Sequence, residues 1–158
     1  MKFSEFILVD AIRAEVKAKD KEGVVREMVK SIQDAGGIDE SDYEGIVAAV
    51  LRREELGSTG IGRGVAVPHT KHPSLTQMVG TVAISQEGVE YESLDGEPVY
   101  LFVLLLSPNE HPGEHLRALE HITRMIKDDG FCRYLKQARD CSQIKQLLDE
   151  ADRGEFTK

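Results

Sequence analysis

Val99-Tyr100-Leu101-Phe102-Val103-Leu104-Leu105-Leu106 is a run of eight hydrophobic residues, bounded by Pro98 before it and Ser107-Pro108 after it. A strand with one wet face alternates polar and apolar residues, so an unbroken run of this length reads as a strand buried on both faces. Helices must then cover the sheet on either side. The run sets the fold class as an α/β sandwich built on a mixed sheet.

Upstream of it, residues 79–85 read as a second strand, and Val89 with Tyr91 as a short third one. Asp95-Gly96 then marks a tight turn. Nearer the start, residues 4–8 suit a helical turn and residues 15–18 an edge strand. Asp20 suits the N-cap of a helix reaching about residue 35, with Val24, Val25, Met28, Val29 and Ile32 at helical spacing and Gly36-Gly37 as its stop. A second helix spans residues 41–56 and lines up Tyr43, Ile46, Val47, Val50 and Leu51. Downstream, helices are predicted over 112–127, 130–138 and 142–149. Residues 1–150 make a single domain, and the charged tail, 151–158, is expected to fray.

The chain has 158 residues, enough for one sizeable core. A net charge of −8 argues against a nucleic-acid-coating role and against attraction to anionic membranes. No apolar run is long enough for a bilayer span, and the first residues lack the order of a signal peptide. The two cysteines, Cys132 and Cys141, lack CxxC spacing and are expected to pack as free thiols in a reducing cytoplasm.

Chemistry concentrates in Gly57-Ser58-Thr59-Gly60-Ile61-Gly62-Arg63-Gly64-Val65-Ala66-Val67-Pro68-His69-Thr70-Lys71, which holds four glycines in eight residues. Two readings fit. It is a glycine-rich turn with a surface histidine, or a short strand that ends on His69 beside a loop whose N–H groups receive phosphate. Helical phase adds two outside candidates. His115 falls within the stripe of Leu116, Leu119, Ile122 and Ile126, as a satisfied core histidine or as one placed for a task, whereas His121 falls opposite and is expected in solvent. Arg53 sits on the flank of the second helix's stripe, either as an anion clamp or in a surface ion pair, while Arg52 points to solvent.

Other site chemistries fit less well. The glycines lack the Gly-Lys-Ser/Thr ending of a Walker loop and the spacing of a dinucleotide fingerprint. Ser58 has no GxSxG setting for a hydrolase. A zinc site from His69, His72, His111 and His115 would lack a carboxylate or cysteine framework.

The run from Arg53-Glu54-Glu55-Leu56-Gly57-Ser58-Thr59-Gly60-Ile61-Gly62 to Val65-Ala66-Val67-Pro68-His69 resembles the enzyme IIA family of the phosphotransferase system, of mannitol/fructose type, which includes the nitrogen-regulatory enzymes IIA. The similarity extends over Asp95-Gly96-Glu97-Pro98-Val99, the long apolar strand and Glu114-His115-Leu116. This resemblance implies a mostly five-stranded mixed sheet and a cytoplasmic phosphoryl carrier without metal or organic cofactor. It implies that His69 is phosphorylated by a small phosphocarrier protein (HPr or its nitrogen-branch counterpart). The group then passes to a cysteine of an enzyme IIB, or stays as a regulatory mark read by a target. By the same resemblance, Arg53 stabilises the phosphate and His115 is the second pocket histidine. Ser58, Thr59, Gly60 and Thr70 are secondary phosphate-loop candidates, and Arg63 and Lys71 candidate docking cations. Thr70 departs from the family, where a very small residue commonly follows the active histidine. The absence of a fused IIB or IIC segment leans towards a stand-alone regulatory type.

Overall fold

The computed structural model describes residues 1–156. The eight-residue run forms the centre of β5 (Val99–Ser107), in which every residue but Tyr100 is buried. One edge of β5 pairs antiparallel with β4 (Val79–Val89). Its other edge takes two short parallel strands end to end, β2 (Val65–Ala66) and then β3 (His69–Lys71). β1 (Gly60–Gly62) pairs antiparallel with β2 and completes a five-stranded mixed sheet. The β1–β2 hairpin turns on Arg63 and Gly64, with φ of 58° and 76°. Positive φ at both central residues is the type I′ geometry that matches strand twist, so Gly64 is required there.

Helices cover both faces, as a doubly buried β5 demands. On one face α1 (Lys21–Asp34) and α2 (Tyr43–Glu55) bury Val25, Met28, Ile46 and Val50 against Phe102 and Leu104. On the other, α3 (Pro112–Ile126), α4 (Asp129–Gln137) and α5 (Cys141–Asp152) pack against Leu101, Val103 and Leu105. Side-chain carboxylates cap three of these helices: Asp20, Asp128 and Asp140 accept from the N–H groups of Gly23, Phe131 and Gln143. Each such cap satisfies a backbone donor that the helix leaves orphaned.

Several expectations are corrected. Residues 15–18 form no strand; the chain from Ile7 to Asp20 touches the sheet edge through isolated bridges to Gly80, Ala83 and Glu90. Val89 closes the long β4, whose register slips after Ile84, and Tyr91 lies beyond it. α5 runs through Asp152 with Ala151 buried, because the Asp152 carboxylate accepts from the backbone of Phe3 and Ser4 at 2.7 and 2.9 Å. Residues 157–158 of the expected tail lie outside the described residues. The buried face of α3 is also rotated. Leu116 is 59% exposed, while His121 is 7% exposed with its ring edge on Phe3 at 4.6 Å. A single-helix phase argument cannot see the N-terminal turn (Phe3–Glu5) that covers this flank. Cys132 packs in the core as expected, but Cys141 is exposed at the start of α5.

Candidate functional site

The gap between β2 and β3 is Val67-Pro68, and it determines how His69 is held. Pro68 has no N–H for the ladder, yet its carbonyl accepts from Leu105 at 3.0 Å, so β5 grips both sides of the interruption. His69 opens β3, opposite Leu105, and does not begin a loop as expected. Its Nδ1 lies 2.7 Å from the carbonyl oxygen of Val67. A carbonyl can only accept, so Nδ1 carries the proton and Nε2 keeps its lone pair. Burial pushes the His69 pKa below its ordinary value, opposed by the Val67 bond and assisted by the charge of Arg53.

His115 comes from the first turn of α3, where the helix dipole favours anions. Its ring centroid is 5.6 Å from that of His69, at an interplanar angle of 51°. The Ser107 hydroxyl, at the end of β5, is 2.6 Å from His115 Nδ1. Burial first, then Coulombic coupling to His69 and Lys71, holds the His115 pKa down at about 4. Both imidazoles are therefore neutral near pH 7.

The two histidines share an open cleft of ≈ 740 Å³ with Arg52, Arg53, Thr70 and Lys71. Arg53 sits in the last turn of α2 and donates from Nη1 to the Gly57 carbonyl at 2.9 Å. The alternative reading of Arg53, a surface ion pair, is not formed among the described residues. Arg52 is exposed, as phase predicted, yet it lines the same cleft because α2 ends at the cleft wall. The site thus gathers two arginines and a lysine around two neutral imidazoles in a protein of net charge −8. Such a cleft suits a small, multiply charged anion. Among the described residues, no group of three or more His, Cys, Asp or Glu side chains is arranged to hold a metal ion.

The glycine run plays a different part from the one its composition suggests. Ser58, Thr59 and Gly60 do not line the cleft. Ser58 Oγ accepts from Gly60 N–H at 3.0 Å, and Thr59 N–H donates to the Glu54 carboxylate at 3.1 Å. A Cβ on Gly60 would meet Ser93 at 2.9 Å, so this glycine serves close packing. The N–H groups of Thr59 and Gly60 are already committed, and the run scaffolds β1 and β2. Of the secondary candidates only Thr70 reaches the cleft. Arg63 is committed elsewhere, to Asp129 at 2.7 Å and the Ile126 carbonyl at 2.8 Å. Glu54 was missed by sequence reasoning. It is 5% exposed despite its charge, and only its partners, Thr59 and Lys21, reveal why.

Residues 5–151 match the family model of the phosphoenolpyruvate-dependent sugar phosphotransferase system, EIIA 2. The chain belongs to this family. A nitrogen regulatory protein from Bradyrhizobium diazoefficiens is 32% identical over 148 residues, covering 94% of this chain and 95% of the relative. A fructose-specific EIIABC component of the phosphotransferase system from Bacillus subtilis is 31% identical over 153 residues, which are 97% of this chain and 24% of that longer protein. Among solved structures, the nitrogen regulatory protein IIA-Ntr from Neisseria meningitidis superposes with a TM-score of 0.82 at 26% identity, covering 92% of this chain and 98% of that one. As an EIIA, the chain is a phosphotransferase-system component with the α/β sandwich the long apolar strand predicts. Among the described residues no helix is long and apolar enough to cross a membrane.

Proposed function

We propose that this EIIA carries a phosphoryl group on Nε2 of His69. The observation that carries the reading is the 2.7 Å bond from His69 Nδ1–H to the Val67 carbonyl. It leaves one nucleophilic nitrogen, on a rigid strand, in a cleft lined by Arg53 and His115. The Nε2 lone pair attacks phosphorus of a phosphorylated carrier protein of HPr type. As the new N–P bond forms, the bond to the donor breaks and its electron pair returns to the donor. In the forward step a cysteine thiolate of an enzyme IIB attacks the same phosphorus, and the departing pair returns to Nε2.

In-line phosphoryl transfer asks the protein chiefly for positioning and charge stabilisation. A guanidinium ~4 Å from a unit of phosphoryl charge contributes up to ~4 kcal/mol at an effective dielectric of 20. Arg53 fills that role here, with His115 as second donor and Thr70 contributing a hydroxyl at the cleft wall. The depressed pKa keeps His69 in the attacking form at neutral pH. This reading makes the chain a cytoplasmic carrier. The test is incubation with phosphoenolpyruvate, the initiating enzyme and the carrier, followed by mapping of acid-labile phosphate. Label at His69, abolished in His69→Ala, is expected; equal label in the variant rejects the assignment.

A regulatory role for the phosphorylation state is the second reading, supported by the full-length similarity to a nitrogen regulatory protein. Comparing proteins captured by phosphorylated and unphosphorylated EIIA from extracts of the native cells separates the two. A partner held by only one state supports regulation, and efficient transfer to a purified enzyme IIB supports sugar transport.

A further inference from the structure

We propose that Glu54 is a positioning residue for transfer at His69, acting through Thr59 and Val67. The inference rests on His69 being the phosphoryl acceptor. Three hydrogen bonds link the two side chains. Thr59 N–H donates to the Glu54 carboxylate at 3.1 Å, and Val67 N–H donates to the Thr59 carbonyl at 3.0 Å. His69 Nδ1–H then donates to the Val67 carbonyl at 2.7 Å. The carbonyl that selects the His69 tautomer is thus held by a chain that ends on a buried charge.

That charge is costly to bury, and the surroundings are built to keep it. Glu54 also accepts from the Thr59 hydroxyl and pairs with Lys21 Nζ at 3.2 Å. Tyr91, fully buried, has its hydroxyl 3.2 Å from Thr59 Oγ1. Since Thr59 donates its hydroxyl hydrogen to Glu54, Tyr91 donates to Thr59. These donors hold the buried carboxylate in one geometry, and removing a partner of such a buried pair is strongly destabilising. Arg53 and Glu54 are neighbours at the end of α2 and face opposite ways. Arg53 holds the Gly57 carbonyl from the cleft side, and Glu54 holds the Thr59 amide from the core side.

The groups facing His69 are Arg53 and Arg52 with Glu55 from α2, His115 from α3 and Lys71 from its own strand. Glu54 opposes the cationic set, and its field raises the His69 pKa. The expected consequence is a stiffer imidazole with more basic Nε2.

The experiment measures imidazole 15N shifts of His69 against pH in wild type, Glu54→Gln and Tyr91→Phe, all unphosphorylated, and then the rate of phosphorylation by the carrier. A Gln at this position keeps an acceptor for Thr59 but brings an NH2 group against Lys21 or the Thr59 hydroxyl. Glu54→Gln should raise the share of the Nε2–H tautomer, lower the His69 titration midpoint and slow phosphorylation about tenfold, the scale on which outer-shell partners act. Tyr91→Phe loosens the same cluster without breaking the three-bond chain and should leave tautomer and midpoint as in wild type. An unaltered tautomer and midpoint in Glu54→Gln, or equal shifts in both variants, overturns the proposal. If Glu54→Gln does not fold, Lys21→Met decides: removing the counter-charge should raise the His69 midpoint, and no shift overturns the proposal. Failure of wild type to take phosphate on His69 would reject the proposed function, while the shifts of the unphosphorylated protein still judge Glu54.

Discussion

The ring centroids of His69 and His115 stand 5.6 Å apart, and each Nδ1 is met by a different group: the Val67 carbonyl, between β2 and β3, for His69 and the Ser107 hydroxyl, at the end of β5, for His115. A hydroxyl can donate to Nδ1 where a carbonyl cannot. The Ser107 hydroxyl can donate or accept, and in the tautomer where it donates His115 Nε2 carries a hydrogen that complements the lone pair on His69 Nε2.

This asymmetry predicts that His115→Ala lowers the phosphorylation rate about a hundredfold, the scale of losing one transition-state donor. Label should remain on His69. Single-turnover labelling with mapped phosphate checks both statements, and label moving off His69 would show that the roles are reversed.

Arg53→Lys should fall well short of wild type. Lysine retains the charge but cannot hold the Gly57 carbonyl and present a planar fork to phosphate at once. Transfer is expected to slow at least about tenfold in Arg53→Lys and more in Arg53→Ala. Rates from the same carrier at fixed salt provide the comparison, with circular dichroism to confirm folding.

Stability should decline on acidification below about pH 6.5, the unfolded histidine value. His69, His115 and His121 all have folded pKa values below that value, chiefly through burial, with His115 near 4. The unfolded chain therefore binds more protons than the folded one as pH falls from 6.5, and each such group costs at most about 1.4 kcal/mol per pH unit. His121 isolates one contribution, since its Nε2 has no hydrogen-bond partner among the described residues. In His121→Leu the loss of stability between pH 7 and pH 5, from urea unfolding, should be smaller than in wild type.

Asp152 joins the two ends of the chain through the backbone amides of Phe3 and Ser4. Asp152→Ala leaves both donors without that partner and should destabilise by about 2 kcal/mol. Urea midpoints at pH 7 test this, and a change under about 0.5 kcal/mol would show that water replaces the carboxylate without loss.

The long apolar run at 99–106 was enough to demand helices on both faces, because a strand without polar alternation has no side to show to water. Helical phase likewise put Arg53 on the cleft side and His115 on the buried side, since both depend on the angle per residue within one helix. The same method failed for Leu116, which is exposed, and for His121, which is buried by a distant segment, the N-terminal turn laid over α3. Glycine composition misled for a related reason. Thr59 and Gly60 look available in sequence, but Glu54, Ser58 and Ser93 already occupy their backbone or the space beside it.

By itself, then, the sequence determined the sandwich, through a strand with no polar alternation, while the residues around the Pro-His element carried the resemblance to the family. Only the tertiary structure decided which nitrogen of His69 is free, which cations share its cleft and why a carboxylate is buried beneath the glycine run. Those depend on where carbonyls and charges from separate elements meet after packing, and no local periodicity encodes such meetings.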